Sequence, residues 1–252
     1  MIYDYPKYYE IAFSFIDSKK QIDFFEKVSK KYGIKMNSLL DVCCGPSIQA
    51  EEILKRGYKL TLLDLNKNMI KYVKNKYPKA EAINANMCNF KLKKKVDFAF
   101  IMMGSISYIN NNKDFLDHLD CMSECLNKRG LYFIENFRLD WKNIENKSEW
   151  TEEKNGIKVT TTYEIKIYNL LKQILLEKMV LKINDHGKHK VLNENNVYTK
   201  NIFPEELKLL IEKQGNFELI GFFELFKDKQ LKDSEQFNHI LLRKKIKKLL
   251  NL

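Results

Sequence analysis

The run Leu39-Leu40-Asp41-Val42-Cys43-Cys44-Gly45-Pro46-Ser47 carries an apolar stretch straight into a turn of small residues, and Asp64 stands nineteen positions beyond Gly45. An apolar stretch feeding a tight turn predicts a strand that ends over the N-terminus of a helix. Lys59–Asp64 predicts a second strand, closing on a carboxylate. This spacing suits a nucleoside: the turn lets backbone approach the ligand, and an acid about 20 residues on meets the ribose hydroxyls. The turn is not G-x-G-x-x-G, which disfavours a dinucleotide.

Around this run, strands and helices alternate. Ile11, Phe15, Ile22, Phe25 and Val28 recur at helical spacing through 7–31, and Gly33 stops the pattern. A helix over about 48–56 ends at Gly57, and another, with Asn66 as its N-cap, runs to Pro78. Glu81–Asn84, Val96–Met103 and Leu131–Glu135 predict three more strands. Between the last two, a helix over Asn112–Leu126 places Phe115, Leu119, Met122 and Leu126 on one face. Alternation of this kind argues for an α/β fold with a parallel sheet and right-handed crossovers.

After residue 150 the period changes to two. Ile157, Val159, Thr161, Tyr163, Ile165 and Ile167 alternate with Lys158, Thr160, Thr162, Glu164 and Lys166. Two further strands, from about Leu171 to Ile183 and over Val191–Thr199, flank the hairpin chemistry of Asn184-Asp185-His186-Gly187. Together they predict a three-stranded antiparallel meander. The helical pattern resumes at Phe203-Pro204-Glu205-Glu206-Leu207 and stops near Gly215; Phe217–Phe226 and Phe237–Arg243 then form a strand pair. The expected organisation is a main domain of 1–148 and 201–252 with seven strands, interrupted by an antiparallel β subdomain at 149–200.

Composition narrows the function classes. Hydrophobic content of 44% with 31% charged residues fits a soluble globular protein, and no apolar stretch approaches the roughly 20 residues that span a bilayer. Residues 1–6 lack a basic region followed by an apolar core, so no secretory signal is expected. Five cysteines, two of them adjacent, make no disulfide framework and favour reduced thiols in a cytoplasmic protein. The net charge of +11 invites a nucleic-acid reading. Yet of the 44 basic residues only Arg56, Arg129, Arg138 and Arg243 are arginines, leaving 44 − 4 = 40 lysines spread along the chain. Bidentate phosphate and guanine recognition favours Arg, so nucleic acid is disfavoured.

Asp41 to Ser47 is similar to the run Asp-x-Gly-Cys-Gly-x-Gly of class I methyltransferases that use S-adenosylmethionine (SAM). Asp97–Tyr108 resembles the fourth motif of that family, which lies beside the methyl group. Leu126-Asn127-Lys128-Arg129-Gly130-Leu131 resembles its Leu-x-x-Gly-Gly turn. The meander, followed by a Phe-Pro-Glu-Glu-Leu helix start, resembles the small-molecule N-methyltransferase branch, which includes glycine and amino-sugar methyltransferases. The resemblance covers most of the chain. It implies a Rossmann-like sheet, SAM as cofactor, and methyl transfer to a small-molecule acceptor, an amine, under the inserted sheet.

The same resemblance implies roles for individual residues. Cys43 and Gly45 would pass their backbone against the tail and ribose of SAM, and Asp41 would sit near its ammonium, directly or through water. Asp64 would accept both ribose hydroxyls; Leu65 and Met69 would flank the adenine, with Asn86 and Met87 at its edge. Tyr9 would reach the SAM carboxylate, and Met103 in the fourth motif would complete the cofactor set. Tyr108, Phe137, Arg138 and Trp141 would face the acceptor. Two family glycines are replaced by Cys43 and Ser47, and a Cβ where φ must be positive costs roughly 1–2 kcal/mol.

No catalytic base stands out, which favours an amine acceptor over an alcohol or phenol. His118, Cys121 and Cys125 fall within two helical turns but lack a second ligand cluster, so no metal is expected and a buried helix edge is the simpler reading. Other activities remain compatible with the sequence: methylation of RNA or protein, suggested by the net charge, or SAM binding without catalysis, suggested by Cys43 and Ser47. Either a monomer or a homodimer is expected.

Overall fold

The fold is given by a computed structural model, which describes residues 1–135, 143–232 and 238–246. Two helices open the chain, α1 (Pro6–Ala12) and α2 (Ser18–Lys31), after a 3-10 turn at Ile2–Asp4. The single helical pattern expected over 7–31 is therefore broken. The Asp17 side chain accepts the Lys20 N–H at 3.0 Å and starts α2 afresh. Phe13 turns aside to pack 5.6 Å from the ring of Trp150, and Phe15 lies 59% exposed in the link.

The central sheet comprises β1 (Ser38–Val42), β2 (Lys59–Asp64), β3 (Glu81–Asn84), β4 (Val96–Ile101), β5 (Leu126–Glu135), β10 (Phe217–Glu224) and β11 (Asn238–Lys244). Its order is β10-β11-β5-β4-β1-β2-β3, seven strands as expected. The five from β5 to β3 pair in parallel, and β11 runs antiparallel to both β5 and β10. Helices α3 (Ala50–Lys55), α4 (Lys67–Lys76), α5 (Asn112–Cys125) and α6 (Pro204–Gln214) link or flank these strands. Alternate strand residues feed opposite faces. Leu40, Val42, Ala99, Ile101 and Ile134 pack with Phe115 and Leu119 of α5 and Leu207 of α6. Leu39, Phe98, Phe100 and Phe133 pack with Phe25, Ile53 and Ile70 on the other side. The site sits where β1, β2, β4 and β5 end.

A second sheet holds β6 (Asn146–Lys154), β7 (Ile157–Asn169), β8 (Ile174–Asp185) and β9 (Lys188–Lys200), in that order and antiparallel throughout. It has four strands where three were expected. The extra edge strand, β6, carries no strand signal in the sequence, because Asn146, Lys147, Glu149, Glu152, Glu153 and Lys154 mask any apolar alternation. The β8–β9 hairpin turns through His186 and Gly187, at φ 51° and 85°, the positive pair that a type I′ turn needs. One face of this sheet buries Ile157, Val159, Leu181 and Ile183 against Ile2, Ile11, Ala12 and Phe13, so the N-terminal segment lies beneath it. The Trp150 indole N–H donates to Ala12 O at 2.7 Å, and the Tyr8 hydroxyl donates to Asp185 at 2.8 Å. Among the described residues no helix is long and apolar enough to cross a membrane.

Candidate nucleoside-binding site

The turn after β1 places Cys43, Gly45 and Ser47 at φ 56°, 51° and 50°, all left-handed. Both substituted glycine positions therefore bear the strain expected of a Cβ there. At Ser47 a local bond offsets it: the buried hydroxyl donates to Asp41 Oδ2 at 2.7 Å. Asp41 is 2% exposed, beneath the turn, and burial pushes its carboxyl up to about 8. Around Gly45 the space is open, with nothing within 4 Å of where a Cβ would point.

Asp64 closes β2 beside that opening. Its Oδ2 accepts the Gly45 N–H at 2.8 Å and its Oδ1 accepts the Asn66 N–H at 2.8 Å. The spacing read from the sequence thus corresponds to a direct contact. Burial raises the Asp64 pKa while these backbone donors lower it. Asn66 caps α4 as expected, accepting from Asn68 N and Met69 N. Leu65 next to Asp64 is 68% exposed, whereas Met69 is buried at 1%.

Asn86 and Met87 form the tight turn after β3, with the Asn86 Oδ1 accepting the Cys88 N–H at 2.8 Å. The Cys43 thiol meets the Met87 sulfur at 3.4 Å, so this turn touches the one after β1. Beyond β4, Met103 and Gly104 take φ 55° and 67°. The Met103 N–H donates to Glu135 Oε2 at 2.8 Å. Glu135 closes β5, is 7% exposed, and burial pushes it up to about 7. Sequence reasoning missed it, although a carboxylate ending an apolar strand repeats the pattern of Asp64.

Tyr9 is half-buried between Tyr3 and Phe13, with ring centroids 5.6 and 4.8 Å away. The Tyr3 and Tyr108 hydroxyls lie 2.5 Å apart. Burial raises the pKa of all three tyrosines, and the nearby charge of Glu177 raises each further. Glu177, on β8, accepts the Tyr163 hydroxyl at 2.7 Å and the Thr199 hydroxyl at 2.6 Å. Tyr9 and Tyr108 were anticipated; Tyr3 and Glu177 carried no sequence signal. Phe137, Arg138 and Trp141 lie outside the described residues.

The central sheet, with its strand order and antiparallel last pair, defines the class: this is a class I methyltransferase fold. Residues 39–130 match the family profile described as a methyltransferase domain. The crystal structure of an S-adenosylmethionine-dependent methyltransferase from Clostridium acetobutylicum superposes with a TM-score of 0.79, covering 97% of each chain at 16% identity. That of DesVI from Streptomyces venezuelae gives 0.76, covering 91% of this chain and 92% of that one at 15% identity. SAM-bound CalS10, an amino pentose methyltransferase from Micromonospora echinaspora, gives 0.73, covering 92% and 93% at 13% identity. In sequence, the dTDP-3-amino-3,4,6-trideoxy-alpha-D-glucopyranose N,N-dimethyltransferase of Streptomyces venezuelae is 25% identical over 99 residues, 39% of this chain. The chain thus matches only 42% of that relative's length.

Proposed function

We propose that this protein is a SAM-dependent methyltransferase acting on a small-molecule amine. The observation that carries the reading is the bond from Gly45 N to Asp64 beside an opening that any Cβ on residue 45 would begin to fill. Those residues fit the cofactor: each Asp64 oxygen commits one lone pair to a backbone N–H and keeps another for a ribose hydroxyl. Cys43 and Gly45 bring backbone to the ribose and tail, Asp41 answers the ammonium, and Tyr9 the carboxylate. Leu65, by its exposed surface, and Met69 flank the adenine; Asn86 and Met87 meet its edge. Met103 stands on the methyl side, its backbone fixed by Glu135.

When bound, SAM supplies a methyl carbon already activated by a sulfonium. The chain's own contribution is then alignment and a dry chamber. Residues 149–200 form a subdomain that roofs the acceptor, set into a cofactor domain of 1–148 and 201–252. Tyr108, with Tyr3 beside it and Glu177 above on the inserted sheet, orients the amine N–H groups so that the nitrogen lone pair faces the methyl. Phe137, Arg138 and Trp141 are assigned to the acceptor side by the family resemblance alone. Amino sugars are the acceptor class favoured here, because the curated relative is named for methylating an amino sugar nucleotide and CalS10 for an amino pentose. Nucleic acid is not the expected substrate, since the positive charge is nearly all lysine and spread along the chain. A cytoplasmic location follows from the same reading.

Incubation with methyl-labelled SAM and a cytosolic metabolite extract tests this. The label is expected in an amine of low molecular mass; label in RNA or protein overturns the acceptor class. Folded protein that fails to bind S-adenosylhomocysteine in calorimetry overturns the reading as a whole.

A further inference from the structure

His118 is left unused by the site as described so far. It sits on α5, fully buried, at the face that also carries Phe115, Leu119 and Met122. Its Nδ1 lies 2.9 Å from Met87 O, and its Nε2 lies 2.8 Å from the Tyr132 hydroxyl of β5. A carbonyl oxygen only accepts, so Nδ1 carries the proton and Nε2 accepts from Tyr132. Burial drives the ring's pKa down to about 4, in keeping with a neutral imidazole. Met87 is thereby held at two points: its carbonyl by His118, and its sulfur by the Cys43 thiol at 3.4 Å. Both flanking segments, the turn after β1 and the turn after β3, line the proposed nucleoside site.

We propose that His118 is a positioning residue for cofactor binding: through its bond to Met87 O it fixes the 86–87 turn against the turn at Cys43, so that the adenine edge meets a preformed backbone. The inference rests on the methyltransferase reading above. A loop already held in its bound shape forgoes the ordering cost that ligand binding otherwise meets. His118 touches no ligand itself. Its bond also explains why a polar ring sits within an apolar helix face, where a leucine would otherwise serve.

The test is calorimetry with S-adenosylhomocysteine on His118→Leu, His118→Asn and Tyr132→Phe, each first checked for folding by its thermal transition. His118→Leu is expected to lower affinity about tenfold, or about 1.4 kcal/mol. His118→Asn, which keeps an N–H donor near the Nδ1 position, is expected to stay within about threefold of wild type. Tyr132→Phe, which leaves the Met87 bond in place, serves as the stability control and is expected to lower the transition temperature more than the affinity. Equal affinity for wild type and folded His118→Leu overturns the proposal, as does a loss that His118→Asn fails to rescue. Wild type that is folded but does not bind S-adenosylhomocysteine overturns the methyltransferase reading instead. Should His118→Leu not fold, nitrogen-15 spectra of histidine-labelled wild type decide, since the chain has only 4 histidines to assign. A ring protonated at Nδ1 and bonded to Met87 O, both free and with ligand, is expected; an Nε2-protonated ring overturns the assignment.

Discussion

Asp64 and Gly45 are joined by one hydrogen bond of 2.8 Å, which ties the end of β2 to the turn after β1. The two remaining lone pairs of the carboxylate are the proposed ribose contacts. Hydrogen bonds to a charged group are worth about 1.5–3 kcal/mol each. Asp64→Ala is therefore expected to weaken S-adenosylhomocysteine binding by about 100-fold or more. Calorimetry that finds the variant binding like wild type removes the ribose role.

Asp41 offers a pH signature. With its carboxyl pushed up to about 8, it is mostly protonated at pH 7 in the free protein. A ligand ammonium beside it favours the ionised form and lowers that value in the complex. Binding between pH 6 and 7.5 should then release up to one proton, and affinity should rise with pH across that window. Calorimetry in buffers of different ionisation heat measures the release; none at all means that Asp41 does not meet the ammonium.

The two glycine replacements should behave differently on reversion. Cys43→Gly relieves a left-handed Cβ and loses only a sulfur contact, so stability is expected within about 1 kcal/mol of wild type, on the stabilising side. Ser47→Gly relieves the same strain but strips buried Asp41 of its hydroxyl donor. A loss of about 1–3 kcal/mol is expected. Denaturant midpoints compare the two, and a stabilised Ser47→Gly contradicts the argument.

Glu135 should make stability fall as pH rises. Its folded pKa of about 7 stands above the ordinary carboxylate value of 4.5, so the folded state holds its proton more tightly than the unfolded chain. Stability drains away as pH climbs from about 4.5 to 7 and stays lower above. Glu135→Gln keeps an acceptor for Met103 N without the charge. The variant should match wild type near pH 5 and exceed it at pH 8 by up to about 3 kcal/mol. Parallel melting curves at both pH values provide the check.

What could be read in the sequence follows from the range of each interaction. The strand ending at Val42, the left-handed turn, the Asn66 cap and the strand-end Asp64 are set by chemistry within a few residues or by one motif spacing. Turn residues and alternating apolar positions announce such features. Glu135, Glu177 and Tyr3 matter through partners that the fold brings in: Met103 is 32 positions from Glu135, and Tyr108 is 105 from Tyr3. No local pattern encodes those meetings. The break between α1 and α2 was hidden for a related reason, because Phe13 answers to Trp150 across 137 residues of sequence rather than to its own helix.

Glu10 of α1 receives the Tyr72 hydroxyl and the Lys76 ammonium of α4 at 2.6 Å each, and the Lys154 ammonium of β6 at 3.3 Å. One short helix thereby ties the inserted sheet to α4, the helix that follows Asp64. On the proposed reading, the canopy over the acceptor and the floor beneath the nucleoside thus share one carboxylate.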